Sequence, residues 1–130
     1  MAYGSRVVLN ERREHAVKRL IDALAGQDLM VFFELDLAEA MQTKLGVVIP
    51  DQVVLGVCRA PLVAAAVSVE PSVGLLLPVH VVVRNAGPGV TMVEAADPVM
   101  MVAITGNPAL EPLAADCAGR LAAALQSLQD

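Results

Sequence analysis

Two side chains in the middle of the chain could take part in chemistry, the thiol of Cys58 and the imidazole of His80. Cys58 follows an apolar run that starts at Val53 and precedes Arg59 and Pro61, so we place it between a strand and a helix that begins near Pro61. A thiol near a helix N-terminus and beside an arginine is favoured as the thiolate, its nucleophilic form. The alternative is an inert cysteine that fills space, since free cysteine is among the most buried residue types.

His80 lies in the apolar run that contains Pro78. Strand alternation predicts that His80 shares a face with Val82, while Val79 and Val81 share the other face. An imidazole among valines must bond to a partner or reach water, so it could serve as a general base, a ligand or a pocket donor, or be a satisfied structural histidine. A Cys58–His80 pair would resemble an activated nucleophile, although no third, orienting residue is evident.

The remaining candidates have simpler explanations. Asp36 and Glu39 have the spacing of a helix cap, and Cys117 belongs to the leucine stripe of the last helix. His15 falls on the polar side of the first helix, and none of these residues has the close ligand spacing of zinc motifs. The sequence therefore predicts no metal site and names no cofactor. Met100 and Met101 could line an adaptable binding surface or fill the core.

Composition excludes several classes of partner. Of the 130 residues 56% are apolar and 2% aromatic, and the net charge is −5. Few aromatic faces and a negative charge argue against nucleic acid. The longest apolar run, 73–83, is too short for a membrane span, and the first residues lack an apolar signal core. We therefore expect one cytoplasmic domain, 1–130, with reduced cysteines.

Glycine and proline residues divide the chain into predicted helices and strands. Asn10 is predicted to cap the first helix and Gly26 to end it in the left-handed conformation. Pro78 lies inside a predicted strand, which therefore lies at a sheet edge or carries a bulge there. Asp97 and Pro98 start a turn. The predicted strands are 6–9, 29–35, 53–58, 75–83 and 90–95, and the further helices are 37–45, 62–69 and one that begins between residues 109 and 112.

These elements predict an α+β fold, a two-layer α/β sandwich with a mostly antiparallel sheet covered by helices on one face. The helix 62–69 is apolar nearly all round, so it should be buried in the domain or against another chain. Short elements cover apolar faces incompletely, and a homodimer is therefore expected.

The middle of the chain resembles the bacterial family called domain of unknown function 302. The resemblance is carried by the stretches 55–58, 61–62 and 70–78, which read LGVC, PL and EPSVGLLLP, and by the later Asp97-Pro98. It implies a two-layer domain, like the TATA-box-binding-protein fold in outline, often dimeric and without an established reaction. Family members commonly have a cysteine directly after the second proline, where this chain has Val79. This chain thus keeps the family's first cysteine, Cys58, but lacks the second one.

Three hypotheses follow. The first is a homodimeric binding module in which a small apolar or mixed ligand enters a cleft near Cys58, Arg59, Pro61, Pro78 and His80, because pockets are commonly apolar with a few polar groups. The second is a redox factor or enzyme that uses Cys58 as a lone thiol. The third is a purely structural interaction domain. Whether the protein is an enzyme stays open at the level of the sequence.

Overall fold

One five-stranded sheet organises the protein, and the computed structural model describes residues 2–130 of it. The strands lie in the order β1-β5-β4-β3-β2, and each neighbouring pair is antiparallel. This arrangement confirms the predicted α+β class. The strands are β1 (Gly4–Leu9), β2 (Met30–Asp36), β3 (Gln52–Cys58), β4 (Val79–Gly87) and β5 (Val90–Ala96), and the helices are α1 (Arg13–Ala25), α2 (Leu37–Leu45), α3 (Ala60–Val69), α4 (Met100–Thr105) and α5 (Glu111–Ser127).

The two faces of the sheet differ because side chains alternate along each strand. Leu55, Val81 and Val93 point to one face and are fully buried, in one core with residues of α1 and α5 such as Leu20 and Leu121. We call the opposite side the open face. It carries the residues that alternate with these, and it includes Val8, Phe33 and Leu35, which are 48%, 40% and 45% exposed. Helices thus cover one face, as predicted.

The predicted helix ends are correct for α2 and wrong for α1. The Asp36 carboxylate accepts a 2.9 Å bond from the backbone N–H of Glu39, and Gly46 ends α2 with a left-handed φ of 66°. The predicted cap and the predicted end of this helix at residue 45 are confirmed. Asn10 is not a cap: α1 begins three residues later, with Arg12 at its N-cap position and no side-chain bond there.

The end of α1 is also a correction. Gly26 has a φ of −62°, and the left-handed residue is Asp28, with a φ of 58°. The turn continues past the glycine, because the N–H groups of Gln27 and Leu29 both bond to the Leu24 carbonyl at 2.9 Å. The reversal into β2 therefore takes place two residues later than the glycine indicated.

The prediction of a strand through Pro78 was wrong. Residues Pro71–Leu75 form a 3-10 turn, and β4 begins only at Val79. β4 lies between β3 and β5, so it is neither an edge strand nor bulged at the proline. A central strand needs its N–H groups for neighbours on both sides, and proline therefore stands just outside it. The Leu77–Pro78 peptide bond is cis.

Helix α3 is less buried than its apolar sequence indicated. Leu62 and Ala66 are buried, whereas Val67 and Val69 are 44% and 42% exposed. Pro61 lies in its first turn, as predicted. Across residues 2–130, no helix combines the length and apolar character that crossing a bilayer requires.

Candidate functional site

His80 stands in a cross-strand row on the open face. Gly56 of β3 is the register partner of His80 on one side and of Phe33 on the other. The Phe33 and His80 rings meet edge to face, with 5.9 Å between centroids and 89° between planes. This is a favourable arrangement for aromatic rings. The alternation prediction for His80 is confirmed, since Val79 and Val81 are buried and His80 is exposed.

Gly56 makes this row possible. A Cβ atom at this position would lie 2.2 Å from Cε2 of Phe33 and within 2.7 Å of two more ring atoms. The phenyl ring thus occupies the space above the glycine. A glycine inside a strand often marks such a close approach, and here it lets the aromatic ring lean toward His80.

An apolar cleft of about 430 Å³ opens beside this row. Its walls come from the middle of β2, the segment that precedes β4, the start of β4, the end of β5 with the turn after it, and helix α4. Ile104 and Leu75 at this cleft are 61% and 88% exposed, so they present apolar surface to solvent. The lining residues are Phe33, Gly74, Leu75, Leu76, Leu77, Pro78, Val79, His80, Ala96, Asp97, Pro98, Met100, Met101 and Ile104.

Two side chains of the lining are ionisable, His80 and Asp97. One carboxylate oxygen of Asp97 accepts a 3.0 Å bond from the backbone N–H of Val99, which starts the turn into α4. The other oxygen leaves acceptor capacity for a ligand. The cleft therefore combines an apolar body with a small number of polar groups, which is how ligand pockets are commonly built.

A second hollow of about 250 Å³ also borders His80. It includes Glu94, which is held between two arginines on the open face: Arg84 Nε lies 2.8 Å from one of its oxygens and Arg6 Nη2 lies 3.8 Å from the other. His80 thus lines both hollows. The charges of the second hollow are paired, while the first is mainly apolar.

The five sequence-predicted site residues divide into two groups. Pro78 and His80 line the cleft, whereas Cys58, Arg59 and Pro61 lie outside its lining. The Cys58 thiol is fully buried and bonds to Cys117 of α5, while His80 packs against Phe33 on the open face. The structure therefore does not bring Cys58 and His80 together as a nucleophile and base.

At the end of β3, next to α5, charged side chains lie close to the two thiols. Arg59 Nη1 lies 3.0 Å from Oδ2 of Asp116, and Arg120 Nε donates to the same oxygen at 3.0 Å. The hydrogen bond from Arg120, helped by Arg59, lowers the pKa of Asp116. The hydrogen bond with Cys117 lowers the pKa of Cys58, helped by the backbone N–H and the charge of Arg59 and opposed by burial and by the Asp116 carboxylate. The same bond, together with burial, raises the pKa of Cys117.

Two functional neighbours were missed by reasoning from the sequence. Phe33 is the aromatic wall of the cleft, and Gly56 in a valine-rich strand was the signal for it. Cys117 is the partner of Cys58, and 59 positions separate the two. Within residues 2–130 no cluster of three histidine, cysteine or acidic side chains is arranged to hold a metal ion.

Comparison with known proteins adds a family and a structure. The model of the family described as Domain of unknown function DUF302 matches residues 6–128. A solved structure, the crystal structure of an uncharacterized conserved DUF302 protein from Bacillus stearothermophilus, is 28% identical in sequence. It superposes with a TM-score of 0.87 and covers 97% of this chain and 98% of that one. No curated protein matches the chain.

Proposed function

The chain belongs to the DUF302 family, and from this premise we propose that it is a binding module for a small ligand and acts as a homodimer. The single observation that supports ligand binding is the cleft beside His80. Its volume of about 430 Å³ lies within the roughly 300–1,000 Å³ typical of small-molecule sites. The cleft lies next to the predicted residues Pro78 and His80, and Cys58, Arg59 and Pro61 have no direct part in it.

The lining favours one class of ligand. Apolar side chains from Leu75 to Val79 and from α4 would contact a hydrocarbon body. His80 can donate or accept one hydrogen bond, and the Asp97 carboxylate accepts only. A small molecule with an apolar body and a donor group, such as an alcohol or an amine, satisfies both. A carboxylate of the same chain length would face Asp97 and a chain whose net charge is −5, so it should bind more weakly.

Displacement of a neutral apolar fluorophore tests this proposal. N-phenyl-1-naphthylamine should bind the parent protein, and octanol and octylamine should displace it at lower concentration than octanoate. Replacing Ile104 with alanine removes apolar contact area and should weaken fluorophore binding about tenfold, which corresponds to ~1.4 kcal/mol. His80→Ala should weaken octanol and octylamine in particular, because it removes a hydrogen-bonding partner.

Leu45→Ala is the matched control for Ile104→Ala. Leu45 is an aliphatic residue of similar exposure, 69% against 61%, and it lies outside the cleft lining. It should leave fluorophore binding unchanged. Equal binding by the parent and by Ile104→Ala would rule out the cleft as the site.

The open face supports the proposal of a homodimer. Val8 on the edge strand β1, and Phe33 and Leu35 on the opposite edge strand β2, expose large apolar side chains on it, and exposed apolar surface of this kind favours an interaction site. Glu94 is already paired with Arg6 and Arg84 on the same face, so its carboxylate would not be buried unpaired at an interface. A two-fold dimer uses the same patch on both copies.

Glutamate substitution distinguishes the open face from helix α3 as the interface. Val8→Glu places a charge on the open face, and Val67→Glu places one on α3, where the native valines are 48% and 44% exposed. We expect Val8→Glu to shift the mass measured by light scattering from dimer toward monomer, because an unpaired charge would be buried at the interface. Val67→Glu should remain dimeric. A parent protein that is monomeric at all concentrations, or dissociation by Val67→Glu alone, contradicts this interface.

Stable dimers that bind none of the probes would instead favour a purely structural interaction domain.

A further inference from the structure

The chain has two cysteines, and the cleft uses neither of them. Cys58 ends β3 and Cys117 lies in the middle of α5. Both are free thiols with no exposed surface. Each thiol shifts the pKa of the other through a side-chain hydrogen bond, which lowers the pKa of Cys58 and raises that of Cys117.

A neighbouring ion pair holds the two elements together at this point. Arg59 directly follows Cys58, Asp116 directly precedes Cys117, and the two charged side chains meet at 3.0 Å. Arg120 lies one helical turn after Asp116 and donates to the same carboxylate. Two adjacent contacts thus fix the end of β3 against α5. One is the ion pair between Arg59 and Asp116, and the other is the contact between the two thiols. The two cysteines therefore lie at the same junction between β3 and α5.

We propose that Cys58 and Cys117 are a redox-active pair, a modification site that hydrogen peroxide converts into an intramolecular disulfide linking β3 to α5. Complete burial of both sulfurs restricts the oxidant to a small molecule, and peroxide is of that size. This site is separate from the ligand cleft and does not depend on the proposed binding function.

The surroundings assign a role to each thiol. Cys58 is the attacking thiol, because its thiolate is stabilised by the Cys117 S–H, the backbone N–H of Arg59 and the guanidinium of Arg59. Cys117 donates the hydrogen bond, and burial keeps its proton in place. It therefore reacts second, as the resolving thiol. A low-pKa thiol beside a resolving cysteine is the arrangement typical of redox-sensing sites.

The reaction balances in two steps. The Cys58 thiolate attacks one peroxide oxygen, so that an S–O bond forms, the O–O bond breaks and the hydroxide that leaves takes up a proton to become water. The Cys117 sulfur then attacks the Cys58 sulfenic acid, an S–S bond forms, the S–O bond breaks, and the departing hydroxide takes the Cys117 proton as a second water. The dithiol loses two electrons and peroxide gains them.

Peptide mapping under non-reducing conditions tests the proposal on the unmodified sequence. Trypsin cleaves after lysine and arginine, and it should release Cys58 in peptide 45–59 and Cys117 in peptide 85–120. After peroxide treatment of the native protein we expect these two peptides joined, an intact mass equal to one chain less two hydrogens, and no thiol titratable in guanidinium. Dithiothreitol should restore both thiols. Two unmodified thiols after treatment, a doubled mass, or a Cys58 sulfinic acid beside a free Cys117 would overturn the proposal.

Two variants check the order of attack. In Cys117→Ala the resolving thiol is missing, so peroxide should leave a sulfenic acid on Cys58 that dimedone traps. In Cys58→Ala the remaining Cys117 should stay unreacted under the same treatment. Trapping on Cys117 in the second variant would reverse the assigned roles and contradict this mechanism. If either variant fails to fold, the peptide map of the parent protein decides alone.

Discussion

Replacing Leu55 with alanine should lower the free energy of unfolding by about 2–5 kcal/mol, the range for large-to-small substitutions in a rigid core. Leu55 lies in β3, between β2 and β4, and has no exposed surface. Its side chain points to the face that α1 and α5 cover, so the cavity left behind has little freedom to collapse. Guanidinium unfolding at one fixed protein concentration measures the loss, and the midpoint should fall while the denaturant slope stays the same.

Leu35→Ala is the matched control, because Leu35 is also a strand leucine but lies on the open face. Leu35 pairs across the strands with Val54, the residue that precedes Leu55. Leu35 is 45% exposed. Its truncation should cost less than half as much as that of Leu55 when unfolding is measured at a protein concentration at which the parent is monomeric, since part of the Leu35 side chain then contacts water. Equal losses at the two positions would contradict the assignment of one covered and one open face.

Local chemistry explains which parts of the fold could be predicted from the sequence. The cap of α2 depends on residues three apart, Asp36 and Glu39, and its end depends on one glycine with positive φ, Gly46. Both signals act within one turn, so they are visible in the chain itself. The two-sided pattern of β4 is equally local, because alternate residues of a strand point to opposite faces.

The wrong predictions arose where distant contacts decide the structure. Pro78 in an apolar run looks like a strand residue, but β4 is central and needs donors on both sides, so the strand starts after the proline. Gly26 is the obvious helix terminator, yet the turn that leads into β2 places the left-handed conformation at Asp28. The choice between these positions depends on where the next strand must enter the sheet.

The sequence predicted only part of the candidate site. The apolar run with a single imidazole correctly drew attention to Pro78 and His80, which line the cleft. Cys58 was also singled out, but its partner is Cys117, at a distance of 59 positions in the sequence. No spacing rule relates a strand end to the middle of a helix that far along the chain, since only the packing of α5 on the sheet brings them together.

Gly56→Ala should cost about 1–3 kcal/mol of stability, which is the usual penalty for inserting a methyl group into occupied space. The new Cβ would lie 2.2 Å from Cε2 of Phe33, so the ring must swing away from its place above the strand. That movement breaks the edge-to-face contact with His80 and removes one wall of the cleft. We therefore expect weaker binding of N-phenyl-1-naphthylamine together with a lower unfolding midpoint.

A double-mutant cycle separates this clash from any general effect of the extra methyl group. In a Phe33→Ala background the space above residue 56 is empty, and Gly56→Ala should become neutral or stabilising by up to about 1 kcal/mol, because alanine restricts the unfolded chain more than glycine does. The destabilisation by Gly56→Ala should thus disappear when residue 33 is alanine. Gly74→Ala is the control within the cleft, since a Cβ there meets nothing within 4 Å. The same penalty for Gly56→Ala in both backgrounds would mean that the glycine does not serve to seat the Phe33 ring, and that the aromatic wall of the cleft is held in some other way.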